Sequence, residues 1–255
     1  MGFLTQAVER VRRELERHPP ADDGSLLRAE SMPPPLDFAA ALRAPGIGII
    51  AEVKRASPSA GEIADADPAG QAAAYEAGGA VAVSVLTETA HFSGSLADLR
   101  LSRRATALPL LRKDFIVHPA QVLEARVNGA DAVLLIAAVL SEGELRDLRE
   151  VADGFGLAAL VEVHTEAELD RAAASGAAIV GVNARDLETL DVDREGALRL
   201  LSTAPADRIR VLESGVREAA HVAAARDAGA DAVLVGEALM RSDDPARALR
   251  ELAGT

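Results

Sequence analysis

The chain has 255 residues, 49% of them hydrophobic and 2% aromatic, and a formal net charge of −13 at pH 7. Nucleic acids and anionic membranes favour basic surfaces, so this acidic balance argues against both as partners. Cysteine is absent, which excludes disulfides and thiolate chemistry, and no apolar run approaches the roughly 18 residues of a membrane span.

An amphipathic helix is the first predicted element. Apolar residues recur at helical spacing from Leu4 to Leu15 and are interleaved with glutamates, a pattern that differs from a signal or transit peptide. A proline run at 33–35 then leads to a short helix at Phe38–Leu42. We predict that residues 1–45 form a helical extension that caps one end of the domain.

One sequence pattern then recurs four times: an Ala-rich helical stretch ends at a glycine, and a hydrophobic strand follows. Glycine suits that position because helices commonly end in a left-handed residue. Four further apolar runs bring the number of predicted strands to eight. Strands alternating with helices in this way predict a single (β/α)8 TIM barrel over residues 46–255. The strands are placed near 48–54, 81–86, 109–113, 131–136, 158–163, 179–183, 209–213 and 231–235.

Five of the buried runs end in charged or amide side chains. Barrel active sites lie at the C-terminal ends of the strands, so this recurrence predicts an enzyme site. Taken singly, each charge is as consistent with a structural ion pair or a solvent-facing side chain, but coincidence at five strand ends favours catalysis. The side chains are Glu52 and Lys54, Lys113, Glu162, Asn183 and Glu213.

A phosphate site is predicted at the same rim. Ser214 and Gly215 follow the seventh strand, and Gly236 and Glu237 follow the eighth, where a short helical stretch begins. Loops after these two strands, with backbone N–H groups at a helix N-terminus, are the usual phosphate cradle of this barrel. The alternative, that both glycines are ordinary loop residues, is less favoured by their position.

Metal and dinucleotide sites are not indicated. A glycine-rich stretch at 46–51 leads into a strand instead of joining a strand to a helix, which excludes a dinucleotide fingerprint. The histidines lack metal-ligand spacing, and each is interpreted as a surface or loop residue. They are His18, His91, His118, His164 and His221.

Several stretches, in order along the chain, resemble the indole-3-glycerol phosphate synthase family. The likeness runs from about residue 49 to the end, and the N-terminal extension also resembles that of the family. The resemblance implies conversion of 1-(2-carboxyphenylamino)-1-deoxyribulose 5-phosphate to indole-3-glycerol phosphate in tryptophan biosynthesis, with loss of CO2 and water. The stretches are 50–59, 84–88, 92–96, 111–115, 160–164, 181–187, 213–215 and 236–240.

Catalytic roles follow from the resemblance. The aromatic carbon must attack a ketone, so a cation should protonate or polarise the carbonyl oxygen, and Lys113 is the candidate. Lys54, Glu52 and Glu162 match the family positions for the later proton transfers, and the division of these roles stays open. Neither a metal nor an organic cofactor is needed, because no redox chemistry is involved.

Binding roles are also implied by the resemblance. Asn183 and Arg185 are expected to reach the substrate's hydroxyls and carboxylate, and Glu213 to hold a sugar hydroxyl or orient a lysine. The residues expected around the phosphate are Ser57, Ser214, Gly215, Gly236 and Glu237. Candidates for the slot around the aromatic ring are Pro58, Phe92, Phe115, Leu134 and Leu187, although core packing is the alternative for each leucine. Departures from the commonest family pattern occur at Ala60, Ala120, Ala184 and Leu212.

Two alternative functions stay open. One is another phosphosugar isomerase or lyase on the same barrel, which would be expected to use an Asp or Cys acid–base pair that this rim lacks. The other is a catalytically idle homologue acting as a binding subunit, against which the presence of Lys54, Lys113 and Glu162 argues. We expect a small anionic substrate, no nucleic-acid or membrane partner, a monomer or weak homo-oligomer, and a cytoplasmic location.

Overall fold

A computed structural model describes residues 2–18, 24–64 and 66–254. Eight strands, β1 to β8, are all parallel and close into a barrel in chain order, with β1 next to β8 and β2, so the predicted (β/α)8 TIM barrel is confirmed. The strands are Gly48–Val53, Ala82–Leu86, Leu110–Lys113, Ala132–Ile136, Ala158–Val163, Ile179–Asn183, Ile209–Glu213 and Ala232–Val235.

The strands are buried on both faces because helices cover the outside and aliphatic side chains fill the inside. All five residues of β4 are buried, as expected for a Val- and Leu-rich parallel strand. Side chains alternate between the two faces, so Glu52 lies on the same face of β1 as Ile50. In the register of the sheet, Glu52 is opposite Ser84 on β2. Charged groups at strand ends therefore stand directly above the apolar interior.

A helix follows each strand, and six of these eight helices start at a polar side-chain cap. Ser141 and Thr165, for example, accept hydrogen bonds from backbone N–H groups in the first turns of their helices. No helix among the described residues is both long and apolar enough to cross a membrane. The helices, α1 to α12, are Phe3–Arg17, Ser25–Ser31, Phe38–Leu42, Pro68–Ala77, Leu96–Ala105, Pro119–Val127, Glu142–Gly154, Glu166–Ala174, Arg194–Thr203, Ala219–Asp227, Glu237–Met240 and Pro245–Ala253.

In two copies of the repeated sequence pattern, an aspartate lies at the N-terminal end of the strand. The glycines before them, Gly129 and Gly229, have φ angles of 91° and 93°, which fits the predicted left-handed helix ends. Asp131 accepts a 2.7 Å hydrogen bond from the backbone N–H of Leu110 at the start of β3. Asp231 makes the same 2.7 Å contact with the neighbouring strand β7. Each aspartate thus joins two adjacent strands at the base of the barrel.

The N-terminal extension contacts both ends of the barrel, so the prediction that it caps one end was wrong. Helix α1 lies at the C-terminal mouth, where the Leu4 N–H donates to the Leu187 carbonyl at 3.2 Å. Arg10 on the same helix pairs with buried Glu88 after β2. At the opposite end, the Leu36 N–H donates to Asp131 at 2.7 Å. The chain therefore runs from the mouth to the base before β1 begins.

Candidate active site

A cavity of about 300 Å³ opens at the C-terminal ends of the strands. Most of the sequence-predicted site residues line it, whereas Glu162, Phe115 and Leu134 lie outside the lining. The predicted residues in the lining are Glu52, Lys54, Ser57, Pro58, Phe92, Lys113, Asn183, Arg185, Leu187, Glu213, Ser214, Gly215, Gly236 and Glu237. The four positions that depart from the family pattern are not in the lining.

Lys113 occupies the floor of the cavity between two carboxylates. Its ammonium nitrogen is 3.1 Å from Glu162 Oε2 and 3.4 Å from Glu213 Oε2. Glu162 is completely buried beneath it and Glu213 is 1% exposed. The three side chains come from the ends of β3, β5 and β7, which only the closed barrel brings together.

This arrangement shifts three pKa values in different directions. Burial lowers the pKa of Lys113, but the charges of Glu162 and Glu213 outweigh it and raise that pKa above the ordinary lysine value. Burial raises the pKa of Glu213 to about 8, although Lys113 opposes the shift. Burial also raises the pKa of Glu162, but Lys113 and His164 outweigh it, so the net pKa is lowered. At neutral pH the site therefore combines an ammonium, a carboxylate and a protonated carboxyl group.

Lys54 and Glu52 form a second pair at the end of β1. Lys54 Nζ is 2.7 Å from Glu52 Oε1, and both side chains line the cavity. A β-carbon on Gly236 would lie 2.4 Å from Glu52 Oε1 and 3.1 Å from Lys54 Nζ. The absence of a side chain at Gly236 thus leaves room for this pair, in addition to any contact of its backbone with phosphate.

Glu213 depends on a second glycine in the same manner. A β-carbon on Gly181, within β6, would lie only 2.1 Å from Glu213 Oε1. The backbone of Gly181 is not left-handed, so the position needs glycine for space and not for conformation. Sequence reasoning had placed Gly181 only in the strand.

Asn183 and Arg185 lie at the end of β6. The Asn183 side-chain oxygen accepts a 3.0 Å hydrogen bond from the Arg185 backbone N–H. The Arg185 guanidinium donates to the Leu190 carbonyl at 2.7 Å, which holds it along the cavity wall. Both residues are therefore fixed by the loop that follows β6.

An aromatic cluster forms the apolar side of the cavity. Phe3 of α1 joins the two predicted phenylalanines, with ring centroids 6.4 Å from Phe92 and 6.2 Å from Phe115. Phe3 lines the cavity, whereas Phe115 packs behind it and is 5% exposed. Leu134 is buried in the core, which agrees with the alternative interpretation that this leucine serves core packing. Sequence reasoning missed Phe3 because nothing in helix α1 shows which face meets the mouth.

The opposite wall is polar. Ser214 and Gly215 have positive φ angles of 65° and 75°, and a left-handed serine is uncommon enough to mark a functional turn. Arg194 and Arg217 also line this wall, and the sequence analysis did not single them out. Their charges favour an anionic ligand despite the acidic chain, because charges more than a screening length of about 8 Å away are largely screened.

His164 lies in the loop just after β5, as its interpretation as a surface or loop histidine predicted, and it stands beside the carboxylates. Its side chain is 15% exposed, and its Nε2 is 3.6 Å from Glu162 Oε1. His118, in contrast, caps helix α6 by accepting the Ala120 N–H at 3.1 Å. No group of three or more His, Cys, Asp or Glu suited to a metal ion occurs among residues 2–18, 24–64 and 66–254.

The fold and the cavity together define a (β/α)8-barrel enzyme with an acid–base site of lysines and glutamates. The family model for indole-3-glycerol phosphate synthase matches residues 4–252. The chain therefore belongs to the indole-3-glycerol phosphate synthase family.

Named relatives agree with this assignment. The chain is 57% identical over 231 residues to the indole-3-glycerol phosphate synthase of Mycolicibacterium gilvum, covering 89% of this chain and 85% of that protein. It is 51% identical over 255 residues to that of Rhodococcus opacus, covering 99% and 95%.

Solved structures show the fold alone. The chain is similar to a 3-hexulose-6-phosphate synthase, with a TM-score of 0.66, 18% identity and coverage of 82% of this chain and 99% of that one. It is also similar to a mutant tryptophan synthase α-subunit from Pyrococcus furiosus, with a TM-score of 0.63, 15% identity and coverage of 82% and 98%.

Proposed function

We propose that the chain converts 1-(2-carboxyphenylamino)-1-deoxyribulose 5-phosphate to indole-3-glycerol phosphate, with release of CO2 and water. The observation that carries the proposal is Lys113, whose ammonium lies between buried Glu162 and Glu213 at the cavity floor. A proton donor held in this way suits the first step, in which an aromatic carbon attacks a ketone. The curated relatives carry the same activity in their names.

Ring closure is assigned to Lys113. The aromatic carbon bearing the carboxylate forms a bond to the ketone carbon, and the carbonyl oxygen takes a proton from the ammonium. The raised pKa of Lys113 keeps this group protonated at neutral pH. Decarboxylation then breaks the bond to CO2, and its electron pair restores the aromatic ring.

Dehydration needs an acid and a base. We assign the acid to Lys54, which Glu52 holds at 2.7 Å, because it supplies a second ammonium at the cavity wall. The hydroxyl leaves as water with this proton. Glu162 is assigned as the base that removes the remaining proton and completes the pyrrole ring, because its lowered pKa leaves it ionised.

Substrate binding divides between the two walls. The phosphate is assigned to the backbone of Ser214, Gly215, Gly236 and Glu237 and to the Ser57 hydroxyl, and Arg185 and Asn183 are assigned to the carboxylate and hydroxyls. The aromatic ring is assigned to the slot formed by Pro58, Phe92 and Leu187, with Phe115 behind it.

The test is the appearance of indole-glycerol phosphate fluorescence from the anilino substrate. We expect turnover without added metal or cofactor, and inorganic phosphate should raise KM and leave kcat unchanged. A folded protein that binds the substrate without product would indicate an idle homologue. Turnover of only an aminated ribulose phosphate would indicate the isomerase alternative.

We propose a monomer or weak homo-oligomer as the active species. Sedimentation at assay concentration tests this assignment. The charge of −13 supports the absence of nucleic-acid and membrane partners, and a cytoplasmic location is proposed from the biosynthetic activity.

A further inference from the structure

His164 stands between two carboxylates that belong to different parts of the barrel. Its backbone N–H donates to Glu168 Oε2 at 2.8 Å, and its ring Nδ1 is 3.5 Å from the same oxygen. On the other side of the ring, Nε2 is 3.6 Å from Glu162 Oε1. The imidazole thus links an acidic residue in the first turn of α8 to the buried carboxylate of the cavity floor.

The facing atoms of His164 and Glu162 are both buried. Neither His164 Nε2 nor Glu162 Oε1 makes a hydrogen bond to any described residue. A buried polar atom without a partner is costly, so two of them facing each other at ion-pair distance call for an explanation. A charged imidazole supplies one, because a cation at this distance stabilises the ionised carboxylate.

We propose that His164 is a positioning residue that, as an imidazolium held by Glu168, keeps Glu162 ionised for its role as proton acceptor. The inference rests on the proposed function, since that function makes Glu162 the base. His164 is absent from the cavity lining, so its proposed role does not require contact with the substrate.

Other charges around Glu162 agree with this role. Lys113 on β3 is its nearest cation, whereas Glu213 on β7 and Glu52 on β1 place further carboxyl groups above the floor. Lys113 and His164 are the two cations whose charges lower the pKa of Glu162. Burial lowers the pKa of His164, but Glu168, Glu162 and Glu213 outweigh it and raise the pKa above the ordinary value. Asp186, after β6, adds a negative charge on the same side.

The sign of the effect follows from this geometry. Glu162 must be ionised to act as a base, so kcat/KM should fall on the acid side as Glu162 takes up a proton. Removing the imidazolium raises the pKa of Glu162, which moves this acid limb to higher pH. The limb lies below the pKa of His164, so the full effect of the charge should be seen there.

The experiment compares pH profiles of kcat/KM for the wild type, His164→Gln and Glu168→Gln. We expect His164→Gln to move the acid limb upward by about 0.5–1 pH unit while activity above the limb is largely retained. Glu168→Gln should move it less, since the histidine is still protonated at low pH. His118→Asn, which removes a histidine away from the cavity and retains a capping acceptor, should leave the limb in place.

A second measurement does not depend on turnover. In an NMR titration of the free protein, the His164 ring should remain protonated above pH about 6.5, and its pKa should fall in Glu168→Gln. The carboxyl carbon of Glu162 should titrate at higher pH in His164→Gln than in the wild type.

The outcomes separate this proposal from the proposed function. An unchanged acid limb in an active His164→Gln protein, or a uniform loss of activity at all pH values, would reduce His164 to a structural role. Absence of product from the wild type would overturn the function instead, and the NMR titration would still test whether His164 and Glu162 form a charge pair.

Discussion

The two ends of the barrel treat buried carboxylates in opposite ways. At the base, Asp131 is 4% exposed and accepts hydrogen bonds from the backbones of Leu110 and Leu36 and from the Arg103 guanidinium. At the mouth, Glu213 is 1% exposed, and neither of its carboxylate oxygens makes a hydrogen bond to a described residue. The Lys113 ammonium lies 3.4 Å from Glu213 Oε2.

The difference indicates what each end of the barrel contributes. A buried carboxylate with all its hydrogen-bond partners joins strands and stabilises the fold, whereas one left short of partners is available for proton transfer. Substitutions at the base should therefore change stability with little effect on rate. Substitutions at the mouth should change the rate without destabilising the fold.

Lys113→Ala gives the largest expected effect. It removes the proposed proton donor of ring closure, so kcat should fall by roughly 10²–10⁴, with a smaller change in substrate affinity. Steady-state fluorescence assays measure this loss, and a thermal melt checks the fold. A variant with near-normal kcat would remove Lys113 from the mechanism.

Asp131→Ala is the counterpart at the base. It leaves two backbone N–H groups and an arginine without their acceptor, so the free energy of unfolding should fall by about 2–4 kcal/mol while kcat is kept. Urea denaturation provides the measurement. Asp231→Ala is the matched control in the other copy of the repeat and should cost less, because one N–H donor is recorded at its side chain. Equal costs, or a loss of kcat in either variant, would contradict the comparison.

Gly181→Ala sharpens the comparison within the mouth. The new β-carbon would lie 2.1 Å from Glu213 Oε1, and since a glutamate side chain can move, Glu213 should leave Lys113 without unfolding of the barrel. We expect kcat to fall roughly tenfold, which corresponds to an increase of about 1.4 kcal/mol in the activation free energy. Gly143→Ala, at a helical glycine with open space around it, should leave kcat unchanged. Wild-type kcat in Gly181→Ala would mean that the position of Glu213 does not matter for turnover.

Glu213→Gln has the smallest expected effect, and it concerns stability. Burial raises the pKa of Glu213 to about 8 from an ordinary value of 4.5. At a pH between these two values, Glu213 is therefore protonated in the folded protein and ionised in the unfolded chain. Stability of the wild type should therefore decline as pH rises through this window, and glutamine should remove that decline. At pH 8 the variant should be more stable by about 1 kcal/mol, as removal of a poorly solvated buried charge commonly is. Parallel stability curves between pH 5 and 8 would contradict the assignment.

The sequence predicted those features that local patterns determine. Apolar runs, typical of strands buried on both faces, predicted all eight strands. Lys113 and Glu162 come at the ends of two of these runs, and they were predicted to lie at one rim because parallel strands end there. The helix at Phe38–Leu42 was also predicted correctly. The short hairpin that pairs Ala56–Ser57 with Gly61–Glu62 was missed, since two-residue strands leave no periodicity to detect.

Features that depend on distant contacts were not predictable. Phe3 and Leu4 are both apolar, and only docking against the mouth decides that Phe3 faces the cavity. His164 follows a strand like many loop residues, and its role emerges from contacts with Glu162 and Glu168 in three dimensions. Gly181 differs from an ordinary strand glycine only because Glu213 points at it.

The position of α1 has a consequence for biosynthesis of the chain. The helix leaves the ribosome before the strands of the barrel, but its Thr5 partner, Glu188, is 183 residues further along. Part of the native surface against which α1 docks, at the loop after β6, is therefore missing until that loop has been made. Closing so long a segment is entropically unfavourable before the barrel exists, so α1 docks late. The wall of the cavity that contains Phe3 is thus translated before the strands of the barrel and completed after most of them.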